Sequence, residues 1–141
     1  MSLNMPVHSS ADALLPLLKS TFGYDAFRGR QAEVLDRIMA GQNTLAVMPT
    51  GAGKSLTYQL PAVALDGCVV VVSPLIALMH DQLRGARAAG IRAASLTSAD
   101  VDQAETRQAY RNGELDLLYV APERATGDSF RGLLESNPPA L

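Results

Sequence analysis

The chain has 141 residues, a formal net charge of −2, 48% hydrophobic and 18% charged residues, and no tryptophan. That length supports one domain with its own core. It contains no unbroken apolar run of about 20 residues for a membrane span, and no charged-then-apolar secretory leader at its start. The negative balance excludes nucleic-acid binding through overall charge, so any such partner must meet a local surface.

The single cysteine, Cys68, cannot form an internal disulfide, which points to a reducing, cytoplasmic compartment. It lies in an apolar run and reads as a small buried hydrophobe. Only Lys19 and Lys54 are lysines among the 12 basic residues. The Ala- and Arg-rich bias fits a GC-rich bacterial source. Met1-Ser2-Leu3-Asn4 ahead of Met5 reads as an expression remnant. Residues 1–10 are therefore set aside as a tag remnant and disordered N-terminus, leaving 11–141 for the fold.

In chain order, Ala11 to Thr21 carries Leu14, Leu15 and Leu18 at helical spacing, with Ser10 or Asp12 as cap. Arg30 to Ala40 is a second helix with Val34, Leu35 and Ile38 on one face, stopped by Gly41. Thr44 to Met48 is predicted as the first strand. A glycine loop follows, then a helix from about Lys54 that Pro61 should kink or end. Val69 to Val72 is predicted as a strand buried on both faces.

Leu75 to Ala89 reads as a helix with Leu75, Leu78, Met79 and Leu83 inward, and the whole run Leu75–Met79 is assigned to the core. Ile91 to Leu96 is a short strand. Asp100 to Arg111 is a polar helix, with Asp100, Asp102 and Glu105 as cap and dipole partners at its start and arginines at its end. Leu115 to Val120 is the next strand, and Ser129 to Glu135 a last helix. This alternation predicts a mainly parallel sheet covered by helices. Such a sheet would be left with an open edge at Leu141, so the chain reads as truncated.

The chemistry concentrates in Pro49-Thr50-Gly51-Ala52-Gly53-Lys54-Ser55, between a predicted strand and a helix. Gly51 and Gly53 permit conformations and close approaches that a Cβ would forbid. Successive N–H groups and the helix N-terminus then face phosphate oxygens. Lys54 brings a mobile positive charge, and the Ser55 hydroxyl suits Mg²⁺. Thr50 to Ser55 is thus a candidate triphosphate cradle; the bland alternative is a glycine-rich turn that happens to precede a helix. The general motif opens with glycine at the position held here by Met48, a departure that helicase loops of the x-P-T-G-x-G-K-S type tolerate.

Just upstream lies Phe22-Gly23-Tyr24-Asp25-Ala26-Phe27-Arg28-Gly29-Arg30-Gln31. The Gln31 amide has a donor and an acceptor to match N6 and N7 of adenine. Tyr24 offers a stacking face and Arg28 a planar cation. Phe22 and Phe27 read as core, and taken alone Gln31 also fits the start of a solvated helix face.

Together these segments resemble the RecQ family of superfamily 2 DNA helicases. The matching stretches are F-G-Y-D-A-F-R with Gln31, M-P-T-G-A-G-K-S-L-T-Y-Q-L-P-A at Met48–Ala62, V-V-S-P-L-I-A-L-M-H-D-Q at Val71–Gln82, and L-L-Y-V-A-P-E-R at Leu117–Arg124. The resemblance implies the front part of a first RecA-like lobe: a P-loop NTPase with a three-layer α/β sandwich. It implies that Tyr24, Arg28 and Gln31 recognise adenine, and that Lys54 and Ser55 hold ATP phosphates and Mg²⁺. It places Ser73, Pro74, Gln82 and Arg124 near a single-stranded DNA track. For Arg124 a structural salt bridge remains an equal alternative.

The implied partners are single-stranded or partially duplex DNA and a second RecA-like lobe, in a nucleoid-associated protein of DNA repair or recombination moving 3′ to 5′. Gly29-Arg30 replaces a common Pro-Gly, and His80 stands where lysine is usual. The Asp-Glu-x-His motif is absent from these 141 residues, so the chain alone is expected to bind nucleotide without efficient hydrolysis. The other readings are a DEAD-box RNA helicase lobe, which would show P-T-R-E-L where Ser73-Pro74-Leu75-Ile76-Ala77 stands, a small-molecule kinase, and a non-catalytic nucleotide-binding module.

Overall fold

The computed structural model describes residues 10–49, 51, 53–98 and 100–141. The expectations for residues 1–9, Thr50 and Ala52 fall outside that set. The chain forms two compact units, Met1–Ala64 and Leu65–Leu141.

The first unit is helical. α1 (Ser10–Leu17) runs on through a π turn (Leu18–Phe22) and meets α2 (Gln31–Met39) and α3 (Leu56–Ala64). Its core holds Ala11, Leu14, Leu18, Leu35, Leu56 and Leu60, with Phe22 and Phe27 packed against it as expected. Leu14 and Leu18, like Leu56 and Leu60, stand four residues apart and so share a helix face. Gly23 ends the π turn at φ 76°, donating its N–H to Lys19 O, and Gly41, at φ 72°, follows α2.

The Ala11 N–H at the start of α1 is satisfied by Asp36 Oδ1 of α2 at 2.8 Å, a partner in another helix. One helix-end expectation needs correction. Pro61 neither ends α3 nor sits at its edge: it is buried inside the helix, which continues to Ala64. The donor it lacks would have met a carbonyl of the first turn, so only one bond is lost.

The predicted strand Thr44–Met48 is not formed, and Leu45 and Val47 are 90% and 87% exposed. A strand exists only where a neighbour accepts its ladder hydrogen bonds, and no described segment pairs with this one.

The second unit carries a three-stranded parallel sheet in the order β1-β3-β2: β1 (Val69–Val72), β2 (Ala93–Leu96) and β3 (Leu117–Val120). β3 is central, and Val120 is in register with both Val72 and Leu96. The predicted α/β class with parallel strands holds. Between the strands run α4 (Ile76–Ala88) and α5 (Gln103–Arg111), followed by α6 (Pro122–Ala125), which was not predicted, and α7 (Asp128–Ser136). β2 and β3 are buried throughout, with Leu118, Val120, Phe130 and Leu133 in one core.

β1 is not buried on both faces: its burial falls along the strand until Val72 is 53% exposed. In α4 only Met79 and Leu83 of the four expected residues point inward, while Leu75 and Leu78 are 59% and 47% exposed and Ala77 is also exposed. Their spacing gave an apolar face wider than the sheet that α4 meets. α5 starts at Gln103, three residues later than expected, because the Asp100 carboxylate is used in the preceding loop; Asp102 takes the cap position without a side-chain bond.

The N-terminal edge of the sheet is tied by polar contacts. Asp116 accepts from the Arg92 N–H at 3.0 Å and pairs with its guanidinium at 2.9 Å, a hydrogen bond that holds Arg92 above the usual arginine range. The Tyr110 hydroxyl donates to Asn137 O at 2.5 Å. Beyond it the backbone lies along the outer edge of β1: Ala140 N–H donates to Cys68 O and Val70 N–H to Leu141 O. No described helix is long and apolar enough to cross a membrane.

Cys68 is buried, as predicted, and burial, reinforced by Asp116 and opposed by Arg92, pushes its thiol up from 9.0 to about 12. In the folded chain the thiol therefore stays protonated where the unfolded chain has already lost its proton. The stabilisation is complete below pH 9 and is lost as pH rises toward 12. Cys68→Ala is expected to flatten the fall in melting temperature between pH 9 and 11 relative to each protein's own value at pH 7. A residual slope should remain from Tyr110, whose phenol is also raised by burial. Superimposable pH profiles for the two proteins would sink the assignment.

Candidate nucleotide site and nucleic-acid edge

In the first unit, packing of α2 on α3 brings the N-terminus of each helix to the phosphate loop. Ser55 O accepts from Gln59 N–H at 2.9 Å, and Lys54 O accepts from Thr57 N–H at 3.1 Å, so the first turn of α3 is built on the two residues expected to meet phosphate. A helix start leaves N–H groups without intrahelical partners and carries a partial positive charge. Gly51 and Gly53 have φ of 83° and 76°, a backbone region open to glycine and costly for other residues. The Lys54 side chain is exposed and Ser55 partly buried.

Gln31, the first residue of α2, is 3% exposed. Its Oε1 accepts from Arg28 N–H at 2.8 Å, and its Nε2 donates to Gly53 O at 3.1 Å. Arg28 adds a bond from Nη2 to Gly51 O at 3.2 Å. The predicted solvated-face reading of Gln31 is thus replaced by a buried amide whose orientation is fixed by two backbone groups. A Cβ on Gly53 would collide with Gln31 Nε2 and come within 3.2 Å of Arg28 Nη2.

A cavity of about 150 Å³ adjoins this contact. It is lined by Tyr24, Arg28 and Gln31 on one side, by Gly53, Ser55 and Gln59 on another, and by Phe22, Ala26 and Leu56. Of the expected adenine and phosphate residues, Tyr24, Arg28, Gln31, Gly53 and Ser55 therefore meet around one space. Lys54 and Gly51 flank the same loop without lining it. Sequence reasoning missed Gln59, although it stands one helical turn beyond Ser55 and that spacing alone puts it on the same face.

The expected DNA residues belong to the second unit. Ser73 follows β1, Thr97 follows β2 and Pro122 nearly follows β3, so the parallel register sets all three connections along the C-terminal edge of one sheet. Ser73 N–H donates to Val120 O at 3.0 Å, and Ser73 Oγ receives a long bond of 3.4 Å from Leu75 N–H. Pro74 is exposed; Arg124, in α6, is half-buried and forms no ion pair among the described residues. Gln82 lies farther along α4.

The loop after β2 is braced by Asp100, which accepts from Thr97 N–H at 2.7 Å and Ser95 Oγ at 3.1 Å. His80 Nε2 of α4 stands 4.0 Å from the other carboxylate oxygen. The carboxylate expected at a helix cap thus serves as a loop brace instead.

The DEAD/DEAH box helicase family matches residues 28–136. The ATP-dependent DNA helicase RecQ of Haemophilus influenzae is 46% identical over 124 residues, which is 85% of this chain and 20% of that protein. The ATP-dependent DNA helicase RecQ of Bacillus subtilis is 42% identical over 122 residues, 84% of this chain and 21% of that protein. The ATP-dependent DNA helicase Q-like 5 of Arabidopsis thaliana is 39% identical over 131 residues, 91% and 14% respectively. The chain thus spans about a fifth or less of the length of these relatives. The parallel α/β sheet agrees with that match, and the chain belongs to the DEAD/DEAH box helicase family, in which it resembles the RecQ helicases.

Proposed function

We propose that the chain is the nucleotide-binding part of an ATP-dependent DNA helicase of RecQ type, a cytoplasmic, nucleoid-associated protein of bacterial repair or recombination that moves 3′ to 5′. The observation that carries this reading is the Gln31 amide held against Gly53 beside a cavity that Tyr24 and Arg28 also line. The amide carries both a donor and an acceptor, the pair that an adenine edge requires.

The residues fit ATP and Mg²⁺. Gly51 and Gly53 hold positive φ angles, a Cβ on Gly53 would strike Gln31, and an exposed lysine, a serine hydroxyl and a helix start follow. Lys54 would neutralise the outer phosphates, Ser55 would hold Mg²⁺, and Tyr24 would cover the base. Bound ATP supplies the phosphoryl-transfer free energy that drives a motor. Thr50 and Ala52 complete the proposed cradle. The 141 residues contain no Asp-Glu-x-His sequence, and in this reading hydrolysis needs that carboxylate pair and an arginine from a second RecA-like lobe.

Single-stranded or partially duplex DNA would cross the C-terminal edge of the sheet, where ligands of parallel α/β sheets bind. Ser73 and Pro74 would meet its backbone, Arg124 would pair with a phosphate, and Gln82 would extend the track along α4.

ATP at 100 times its dissociation constant should stabilise the chain by about 2.7 kcal/mol, read as a rise in melting temperature. Lys54→Ala should abolish that rise, and Gln31→Ala should make ATP and GTP equivalent; equal responses to the two nucleotides in the wild type would defeat adenine readout. Phosphate release by the chain with single-stranded DNA should not exceed that of Lys54→Ala, and turnover clearly above it would overturn the need for further residues. Arg124→Ala should weaken single-stranded DNA binding at every sequence and reduce the slope of log K against log salt by about one. An unchanged slope would show that Arg124 meets no phosphate, and stronger binding of RNA than of DNA would favour the DEAD-box alternative.

A further inference from the structure

We infer that Gln31 is also a positioning residue for the phosphates, because it fixes the peptide group that aims the Lys54 N–H; this rests on the nucleotide reading above. The Gly53 carbonyl and the Lys54 N–H belong to one planar peptide unit, and every described peptide is trans. In a trans unit the two groups point in opposite directions. Seating Gly53 O on Gln31 Nε2 at 3.1 Å therefore turns the Lys54 N–H to the other side of that plane.

A phosphate-binding loop works only if its N–H groups face the anion and its carbonyls face away, since an inward carbonyl would repel phosphate oxygens. Arg28 acts in the same sense on the neighbouring Gly51 carbonyl at 3.2 Å. Glycine at both positions leaves this backbone free to rotate, with φ values of 83° and 76°, so an external brace is needed to select one orientation. Gln31 is well placed for that role. It is 3% exposed, and its own orientation is set by the Arg28 N–H at 2.8 Å. The collision expected of a Cβ on Gly53 gives this glycine a task besides admitting phosphate: it lets the brace approach.

A residue that only reads adenine affects ligands that carry a base. A residue that orients the loop affects ligands with no base at all. The probe is inorganic tripolyphosphate with Mg²⁺, measured by calorimetry on the whole chain beside ATP. Gln31→Ala should weaken tripolyphosphate about tenfold, the loss expected for one misdirected hydrogen-bond donor to an anion. Gln31→Met, which keeps the side-chain volume, should do the same and controls for collapse of the cavity. The Lys54 amide resonance of the ligand-free protein should shift or broaden in both variants, a signature that loss of base contact would not produce.

Tripolyphosphate affinity within twofold of wild type in either folded variant, with ATP affinity reduced, would confine Gln31 to the base and overturn the inference alone. Failure of the wild type to bind both ATP and tripolyphosphate would remove the nucleotide reading and this one with it.

Discussion

The contact between Gln31 and the Gly53 carbonyl is the constraint on which the candidate site depends, and it is itself a product of packing. Leu35 on α2 and Leu56 and Leu60 on α3 share one core with α1. Burial of that apolar surface, worth about 1.5–3 kcal/mol for each large side chain, fixes where the helices start. A polar bond of 3.1 Å, worth about 1 kcal/mol net in such a setting, then decides the direction of one peptide group. The larger force places the elements, and the smaller one orients the atoms that meet a ligand. Asp36 serves both ends of the design, since the carboxylate that satisfies the first turn of α1 stands on α2, five residues after Gln31.

The second unit separates stability from exposure along its strands. At the N-terminal edge, Asp116 accepts from both the backbone and the guanidinium of Arg92, Cys68 is buried, and Tyr110 fastens the segment that ends beside β1. At the C-terminal edge the connections are more open, with Val72, Leu75 and Val101 at 53%, 59% and 92% exposure. Parallel register makes this division unavoidable, because all strand ends of one kind fall on the same side. A sheet pinned at one edge and open at the other offers a rigid base for contacts that the loops make.

Much of this was legible in the sequence because helices and buried strands obey local rules. The spacing of Leu14 and Leu18, the acids and arginines of α5, and the β-branched run at Val69 all gave elements close to those formed. Thr44–Met48 failed because β structure depends on a neighbour that no local pattern supplies. Leu75 and Leu78 failed because apolar periodicity reports a face and not what covers it. Asp36, Asp100 and Gln59 were misread or overlooked for a related reason: their partners or neighbours are set by tertiary structure, 25 residues away in the case of Asp36 and Ala11. The candidate adenine and phosphate residues came from motif chemistry, yet nothing in their spacing revealed that Gln31 and Arg28 bond to the loop itself.

Charge sets the character of the proposed DNA edge. With a net charge of −2, the chain cannot attract a polyanion as a whole, and at the described edge the guanidinium of Arg124 stands beside the acid Glu123 in α6, with Asp100 in the loop after β2. His80 stands 4.0 Å from the Asp100 carboxylate. Arg84 is engaged by Asp81. Few cations mean few displaced counterions, and the electrostatic part of binding is then small. What remains is geometry: the Ser73 hydroxyl and a loop braced by Asp100, beside strands held in register by β3.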